Sequence, residues 1–124
     1  IKTDFNEILL DAYNANPSSM EQALKSFALN KKNPRLVILG DMRELGTHSE
    51  KSHSMIAELC LELGLEAIFV GEAFKAVAQD NNTGRFYASV KELISDIEGR
   101  KIKWKNILLK GSRGRAMERL LPLL

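Results

Sequence analysis

A chain of 124 residues is long enough for one domain with a buried core, and a net charge of +2 is too small to require nucleic acid or an anionic membrane as partner. Hydrophobic residues make up 44% of the sequence and charged residues 27%, which is typical of a globular protein. The single cysteine, Cys60, excludes an intramolecular disulfide and fits a reducing, cytoplasmic environment. Since no apolar run approaches the ~18 residues of a membrane span, no membrane insertion is expected.

Apolar runs alternate with helical patterns along the whole chain. The first strand is predicted at residues 8–11 and the first helix at 17–30, with Asn16 as its N-cap. Further strands are predicted at 36–39, 67–70, 86–88 and 107–109, with helices at 47–63, 73–79 and 89–98 and a last one after Gly114. Because nearly every strand is a continuous apolar run, the sequence predicts an α/β domain: a mostly parallel sheet of five or six strands with helices on both faces.

Side-chain patterns give more detailed predictions for three of the helices. Capping boxes are predicted at Thr47 with Glu50 and at Ser89 with Glu92. The second helix is expected to bury Met55, Ile56, Leu59, Cys60 and Leu63, which makes Cys60 inert. The last helix is expected to bury Met117, Leu120 and Leu121.

Three strand-to-helix turns carry more polar residues than folding requires, and in a parallel sheet such turns emerge at one edge, where they can line one cleft. The first turn spans 11–17. A carboxylate at Asp11 can accept hydrogen bonds from ribose hydroxyls, and amides can recognise the edge of a base. An Asx turn with a helix cap is the alternative; it is favoured for Asn16, and both interpretations stay open for Asp11 and Asn14.

The second and third turns carry charged residues between glycines. In 40–46, Asp41, Arg43 and Glu44 form either a shaped loop for charged groups or an ordinary solvated loop. In 110–115, glycines let backbone N–H groups converge at a helix N-terminus beside three cations, as in an anion site. A plain surface turn is the alternative there. The third turn is not a Walker A loop, because its lysine precedes the glycines.

The histidines and the tryptophan are weaker candidates for function. His48 and His53 are five residues apart rather than four, so no metal site is predicted from them. His53 is expected to be exposed on its helix by default, from where it can reach a ligand. Trp104 lies in a basic segment, and a solvated face is favoured there over a nucleic-acid patch.

Together, the three turns resemble the C-terminal domain of one family. DAYNANP at 11–17, LGDMRELG at 39–46 and LKGSRG at 109–114 occur in the order and approximate spacing of the Mur ligases, which build the peptidoglycan precursor. The resemblance covers nearly the whole chain and is to the Mur ligases that join D-alanyl-D-alanine to UDP-N-acetylmuramoyl-tripeptide. Arg115 and Ala116 depart from the Gly-Met order often found after the third motif.

The resemblance implies a Rossmann-like three-layer domain over residues 1–124, which closes over a central ATPase domain in a cytoplasmic, monomeric, three-domain bacterial enzyme. A first residue other than methionine fits a piece of a longer chain. ATP would phosphorylate the tripeptide carboxylate, and the amine of the dipeptide would attack the acyl phosphate. The Mg²⁺ ligands and the phosphate-binding loop are expected in the missing central domain, so the isolated domain is expected to fold without ligating. The implied partners are the central and N-terminal domains and the two substrates, without nucleic acid.

The resemblance also assigns site residues by position. The nucleotide's ribose and base would be contacted by Asp11, Tyr13, Asn14 and Asn16. The interdomain cleft would be faced by Asp41, Arg43 and Glu44, and the incoming dipeptide would be held by Lys110, Ser112 and Arg113. His53 falls where such ligases tend to have a histidine, without an assigned role.

Two alternatives remain beside the ligase. One is a stand-alone nucleotide- or anion-binding α/β module without catalysis. The other is a nucleic-acid-binding domain that uses 99–115, which contains seven Lys or Arg and no acid. Its affinity for oligonucleotides would fall steeply with added salt.

Overall fold

The computed structural model describes residues 1–11, 15–30, 34–78, 84–103, 105–111 and 117–124. Its strands are β1 (Glu7–Asp11), β2 (Arg35–Gly40), β3 (Glu66–Val70), β4 (Arg85–Tyr87) and β5 (Asn106–Lys110). Its α-helices are α1 (Pro17–Ala28), α2 (Ser49–Glu62), α3 (Glu72–Ala76) and α4 (Val90–Gly99), with 3₁₀ segments at Gly46–His48 and Met117–Leu123. The strands form one parallel sheet in the order β1-β5-β2-β3-β4. The predicted α/β class is confirmed.

The direction of the chain across the sheet reverses once, and this reversal places the helices on both faces. From β1 to β4 the chain progresses one way, and α1, α2 and α3 pack on one face against Val37, Leu39 and Leu108. After β4 it returns through α4 to β5, which inserts between β1 and β2, and α4 packs on the opposite face against Ile38 and Leu109. Right-handed crossovers require this change of face. The ends of β1, β5 and β2 therefore lie side by side where the strand order reverses, the usual position of a ligand crevice in such sheets.

Helix α1 begins as predicted and ends two residues early. Asn16 is its N-cap: the side-chain Oδ1 accepts the N–H of Ser19 at 2.9 Å, and the Ser19 hydroxyl accepts the N–H of Asn16 at 3.1 Å. At the other end, the Arg35 guanidinium donates to the carbonyls of Ala28 at 2.5 Å and Asn30 at 3.2 Å. These contacts satisfy backbone groups that a helix end leaves unpaired.

Helix α2 corrects two predictions. The capping box at Thr47 is wrong, because Thr47 lies in the 3₁₀ turn that leads directly into α2, and the N-cap residue His48 makes no side-chain cap. Met55 is 57% exposed rather than inward. The buried stripe contains His53, Ile56, Ala57 and Cys60, at i, i+3, i+4 and i+7, with Leu59 and Leu63 at its margin. The buried position of Cys60 is confirmed, and desolvation raises the pKa of its thiol to about 12.

Helix α4 begins at the predicted cap. The Ser89 hydroxyl accepts the N–H of Glu92 at 3.2 Å, while the Glu92 carboxylate accepts the N–H of Ala88 at 2.9 Å, one residue before the position it takes in a capping box. The Tyr87 hydroxyl donates to the Asp96 carboxylate and so ties the end of β4 to α4. This hydrogen bond lowers the pKa of Asp96, while burial and then the same bond raise that of Tyr87.

The last predicted helix is a 3₁₀ segment, Met117–Leu123, in which Met117 and Leu120 are buried as predicted and Leu121 is half-buried. The stretch from 112 to 116, where this helix was predicted to begin, lies outside the described residues, as does Trp104. Among the described residues, no helix combines the length and the apolar character of a membrane span.

Asn6, a buried amide, joins three distant parts of the chain. Its Nδ2 donates to the carbonyls of Ile102 at 2.9 Å and Leu124 at 2.5 Å, and its Oδ1 accepts the N–H of Lys105 at 3.0 Å. It is only 5% exposed. Because these partners are all backbone groups, removal of the amide leaves two buried carbonyls and an N–H without this partner.

Asn6→Ala is expected to lower the free energy of unfolding by about 3 kcal/mol, since each buried polar group that loses its partner costs about 1–3 kcal/mol. Urea unfolding followed by circular dichroism measures the change. The control is Asn106→Ala, which removes an exposed amide whose contact with the Pro34 carbonyl is 3.4 Å long. Equal losses in the two variants would contradict the role assigned to Asn6.

Candidate functional site

At the carboxyl edge of the sheet, two of the three predicted turns meet through a salt bridge. Lys110 ends β5 and pairs in register with Asp11 at the end of β1. The Lys110 Nζ lies 2.8 Å from Asp11 Oδ2. The lysine side chain is 2% exposed, whereas that of Asp11 is 41% exposed. The predicted convergence of these turns is confirmed for the residues that the structure describes.

Lys110 and Asp11 differ in exposure, and they therefore have different roles. The buried Lys110 ammonium holds the Asp11 carboxylate, and charge-assisted hydrogen bonds of this kind are short and strong. A carboxylate has about four lone-pair directions, so the exposed side of Asp11 can accept further hydrogen bonds from a ligand hydroxyl. Lys110 thus orients Asp11, and the prediction that Lys110 itself holds the dipeptide is wrong, because its side chain is 2% exposed and engaged by Asp11.

Two glycines let the C-terminal segment pack against the same strand ends. A Cβ atom added to Gly111 would lie 2.7 Å from Met117 Cγ, and one added to Gly40 would lie 3.1 Å from Met117 Sδ. The end of β2 and the residue after β5 therefore accommodate Met117, which is 1% exposed. This packing anchors the chain directly after the third predicted turn.

Asp41, the first residue after β2, is a structural group. Its carboxylate accepts the N–H groups of Ala73 at 2.9 Å and Phe74 at 3.0 Å, and so caps the first turn of α3 from another element. It fills the space above Gly71, where φ is +133° and an added Cβ would lie 2.2 Å from Asp41 Cγ. The prediction that Asp41 faces the cleft is wrong, because the residue is 1% exposed.

His53 is fully buried beneath the same loop. Its Nε2 accepts the N–H of Met42 at 3.0 Å, and its Nδ1 lies 2.7 Å from the Ser49 carbonyl. The ring packs edge-on against Phe74 at 4.6 Å, and Nε2 lies 3.9 Å from Asp41 Oδ1. The default expectation of an exposed histidine is wrong, and with 0% exposure His53 does not line the cleft. Its position on the i, i+3, i+4, i+7 stripe of α2 is the sequence signal that indicates burial.

Arg43 and Glu44 are the exposed charged residues of the second turn. Glu44 has a φ of +62°, a region that residues other than glycine rarely adopt. Such conformations cost on the order of 1–3 kcal/mol and persist where the surrounding structure fixes them. The loop is therefore anchored below by Asp41 and His53, and it presents Arg43 and Glu44 at the surface.

Four of the predicted site residues, Tyr13, Asn14, Ser112 and Arg113, lie outside the described residues. Asn16 is described, and its side-chain oxygen is engaged in capping α1. This outcome agrees with the interpretation that the sequence favoured for Asn16.

The basic segment after α4 leads into the amino end of β5, opposite the edge where Asp11 and Lys110 meet. Two of its described lysines have partners within the domain. Lys105 Nζ lies 3.0 Å from Glu66 Oε2, and Lys103 Nζ lies 4.6 Å from the centroid of the Phe5 ring. The segment is thus partly neutralised by its own fold.

Comparison with known proteins assigns the family. The family model described as "Mur ligase, glutamate ligase domain" matches residues 1–113. The chain belongs to the Mur ligase C-terminal domain family. The nucleic-acid-binding alternative is therefore not favoured.

Two similar relatives carry the same name. The UDP-N-acetylmuramoyl-tripeptide–D-alanyl-D-alanine ligase of Escherichia coli (strain K12) is 33% identical over 96% of this chain and 27% of its own length. The protein of the same name in Treponema pallidum (strain Nichols) is 36% identical over 94% of this chain and 27% of its own length. The chain thus spans about a quarter of the length of these relatives.

Solved structures agree with this assignment. The crystal structure I of MurF from Acinetobacter baumannii matches 98% of this chain and 28% of its own, with a TM-score of 0.79 at 29% identity. MurF ligase from Thermotoga maritima in complex with ADP has a TM-score of 0.72 over 94% of this chain and 27% of its own. Its identity of 21% supports the fold alone. The Rossmann-like three-layer architecture expected of this Mur ligase domain is confirmed.

Gly71→Ala is expected to lower the free energy of unfolding by about 3 kcal/mol, because it combines a strained backbone with a clash against Asp41. Asp41→Ala is expected to cost about 2 kcal/mol through the loss of the α3 cap. In the double variant the clash with the carboxylate is gone, so its loss should be smaller than the sum by about 1 kcal/mol or more. A double-mutant cycle by urea unfolding tests this, and strictly additive losses would contradict the contact.

Asp11→Ala is expected to destabilise the domain by about 2 kcal/mol, a value below that of a fully buried pair because Asp11 is partly exposed. The loss should exceed that of Lys110→Met, which replaces the buried ammonium by an apolar chain of similar length. The Asp11→Ala, Lys110→Met double variant should be more stable than Asp11→Ala alone. Thermal unfolding in low and high salt orders the three variants, and the reverse order would contradict a buried lysine held by Asp11.

Proposed function

We propose that this domain serves a ligase that adds D-alanyl-D-alanine to UDP-N-acetylmuramoyl-tripeptide with ATP, and that it supplies one wall of the cleft for ATP and the dipeptide. The observation that carries the proposal is the half-exposed Asp11 carboxylate, held by Lys110 at the edge where the strand order reverses. Family membership and the shared name of relatives that cover most of the chain support the same activity. A stand-alone binding module remains the second candidate.

In this proposal the first turn contacts the nucleotide. Asp11 accepts hydrogen bonds from ribose hydroxyls with its exposed side, while Tyr13 and Asn14 lie against the ribose and base. Asn16 acts mainly by capping α1, which fixes the end of the turn. Arg43 and Glu44 face the interdomain cleft, and Ser112 and Arg113 hold the incoming dipeptide or developing negative charge, while the buried Lys110 orients Asp11.

The reaction in the full protein transfers one phosphoryl group from ATP to the tripeptide carboxylate. The dipeptide amine then attacks the activated carbonyl, loses a proton and displaces phosphate, so the products are an amide, ADP and phosphate. The residues of this domain bind and orient the reactants. They exclude water from the activated carboxylate when the domain closes, which protects it from hydrolysis.

The polar side chains of this domain fit the sugar and base of ATP better than they fit the Mg²⁺ ion that accompanies ATP. Within the described parts of the chain, no three His, Cys, Asp or Glu side chains gather as metal ligands. The carboxylate at the sheet edge is engaged by a lysine, which opposes a cation there. We therefore assign the Mg²⁺ ligands to the central domain, where the cation would neutralise phosphate charge. A cytoplasmic monomer, with the central and N-terminal domains as partners, completes the proposal.

The test is ADP formation by the full-length protein with UDP-N-acetylmuramoyl-tripeptide, in the presence and absence of D-alanyl-D-alanine. ADP formation should depend on the dipeptide and be absent from the isolated 124-residue chain. Asp11→Asn and Asn14→Ala should each raise the KM for ATP about tenfold, because a lost hydrogen bond to a ligand is worth on the order of 1.4 kcal/mol.

Glu7→Gln is the matched control, since it makes the same chemical change at the opposite end of β1 and should leave the KM for ATP unchanged. A full-length protein that binds ATP without dipeptide-dependent turnover would favour the binding module. An unchanged KM in both Asp11→Asn and Asn14→Ala would remove the first turn from the nucleotide site. Amide formation by the isolated chain would show that the domain does not need its partners.

A further inference from the structure

We propose that His53 is a positioning residue, whose uncharged ring holds the backbone of Met42 so that Arg43 and Glu44 are presented to the incoming dipeptide. The inference rests on the proposed function, because it assigns a task to a residue beneath the same edge. It differs from a ligand role, since the imidazole has no exposed surface.

The hydrogen-bond partners of His53 determine which ring nitrogen carries the proton. A backbone N–H can only donate, so Nε2, which faces the Met42 N–H at 3.0 Å, must be the unprotonated nitrogen. A carbonyl can only accept, so Nδ1, at 2.7 Å from the Ser49 oxygen, must carry the hydrogen. A doubly protonated ring would direct an N–H against the Met42 N–H. The contacts therefore require one tautomer of the neutral ring.

The hydrogen bond between His53 and the Met42 N–H acts on a loop that is also fixed at the preceding residue, Asp41. Asp41 is fixed by two N–H groups of α3, and its own N–H donates to the Val70 carbonyl at 3.1 Å. Met42 is buried and is fixed from α2 by His53. Thus three elements, α2, α3 and β3, determine where the chain leaves the sheet.

The exposed residues follow immediately after these two anchors. Arg43 is one residue from Met42, and Glu44 adopts a φ of +62°, which directs the chain out of the strand path. An unanchored loop would relax from this conformation, since the strain must be balanced by surrounding contacts. We expect loss of the anchor to misplace Arg43 without altering the first turn, which follows β1.

Three substitutions separate this role from general stability. His53→Gln keeps a hydrogen-bond acceptor near the position of Nε2, whereas His53→Asn reaches only the position of Nδ1, and His53→Leu removes both. Cys60→Ala is the control, because it truncates a buried side chain on the same helix, about two turns after His53. The full-length protein is used, with melting temperature measured for every variant.

His53→Asn and His53→Leu should lower kcat/KM for D-alanyl-D-alanine at least tenfold while the KM for ATP stays unchanged. His53→Gln should remain within about threefold of the wild type. Cys60→Ala should lower the melting temperature without lowering kcat/KM. Equal behaviour of the Gln and Asn variants, or losses that follow melting temperature across all four variants, would overturn the positioning role.

A nitrogen-15 NMR measurement of the histidine ring in the wild-type protein tests the proposal without a variant. Nδ1 should show the signal of a protonated nitrogen and Nε2 that of an unprotonated one. The opposite assignment would overturn the proposal even if every variant failed to fold. Failure of the proposed function is distinct, because it would appear as absence of dipeptide-dependent ADP formation in the wild type.

Discussion

The last strand in sequence, β5, lies between β1 and β2, and the rest of the structure depends on this constraint. Among the described strands, β1 pairs only with β5, and β5 in turn pairs with β2. Strand β5 therefore joins the end of β1 to the end of β2. Insertion brings Lys110 to Asp11 across a separation of 99 residues, and it brings Gly111 against Gly40. Contacts between residues so far apart in sequence form more slowly than local ones, because a long loop must be closed first. A segment of the chain that lacks either β1 or β5 therefore does not contain this edge.

Buried polar side chains determine the geometry of this edge. Lys110, Asp41 and His53 are each at most 1% exposed, and burial of such groups is unfavourable unless they are hydrogen-bonded. Each has partners on another element: Lys110 on β1, Asp41 on α3, and His53 on the loop after β2. A displacement of any of these elements would therefore leave a desolvated polar group with a weakened partner. This penalty favours a single arrangement of the edge, and a binding site of fixed geometry depends on such an arrangement.

The sequence was sufficient to predict the fold class, the five strands, the N-cap at Asn16 and the convergence of Asp11 with Lys110. These features follow from local periodicity and from the rule that parallel strands end at one edge. The failures have a common cause. Asp41 and His53 were assigned to the surface because they are polar, yet their partners, the N–H groups of Ala73, Phe74 and Met42, come from elements that no local pattern identifies. The prediction that Met55 is buried failed for a related reason. More than one face of α2 carries apolar residues, and packing against α1 and α3 determines which face is buried.

The polar residues at this edge fall into two classes that differ in exposure, and only the exposed class can contact a ligand. Asp41 and His53, which hold the backbone, are buried and hydrogen-bonded to fixed partners, whereas Asp11, Arg43 and Glu44 remain accessible. The accessible groups include both signs of charge, so they complement a ligand with hydroxyl, amine and carboxylate groups better than a simple polyanion. The basic segment, by contrast, leads into the amino end of β5, where Lys105 is paired with Glu66. The positions of the charged residues, rather than the sum of their charges, thus determine which ligands the edge can bind. For this reason a net charge of +2 says little about what the domain binds.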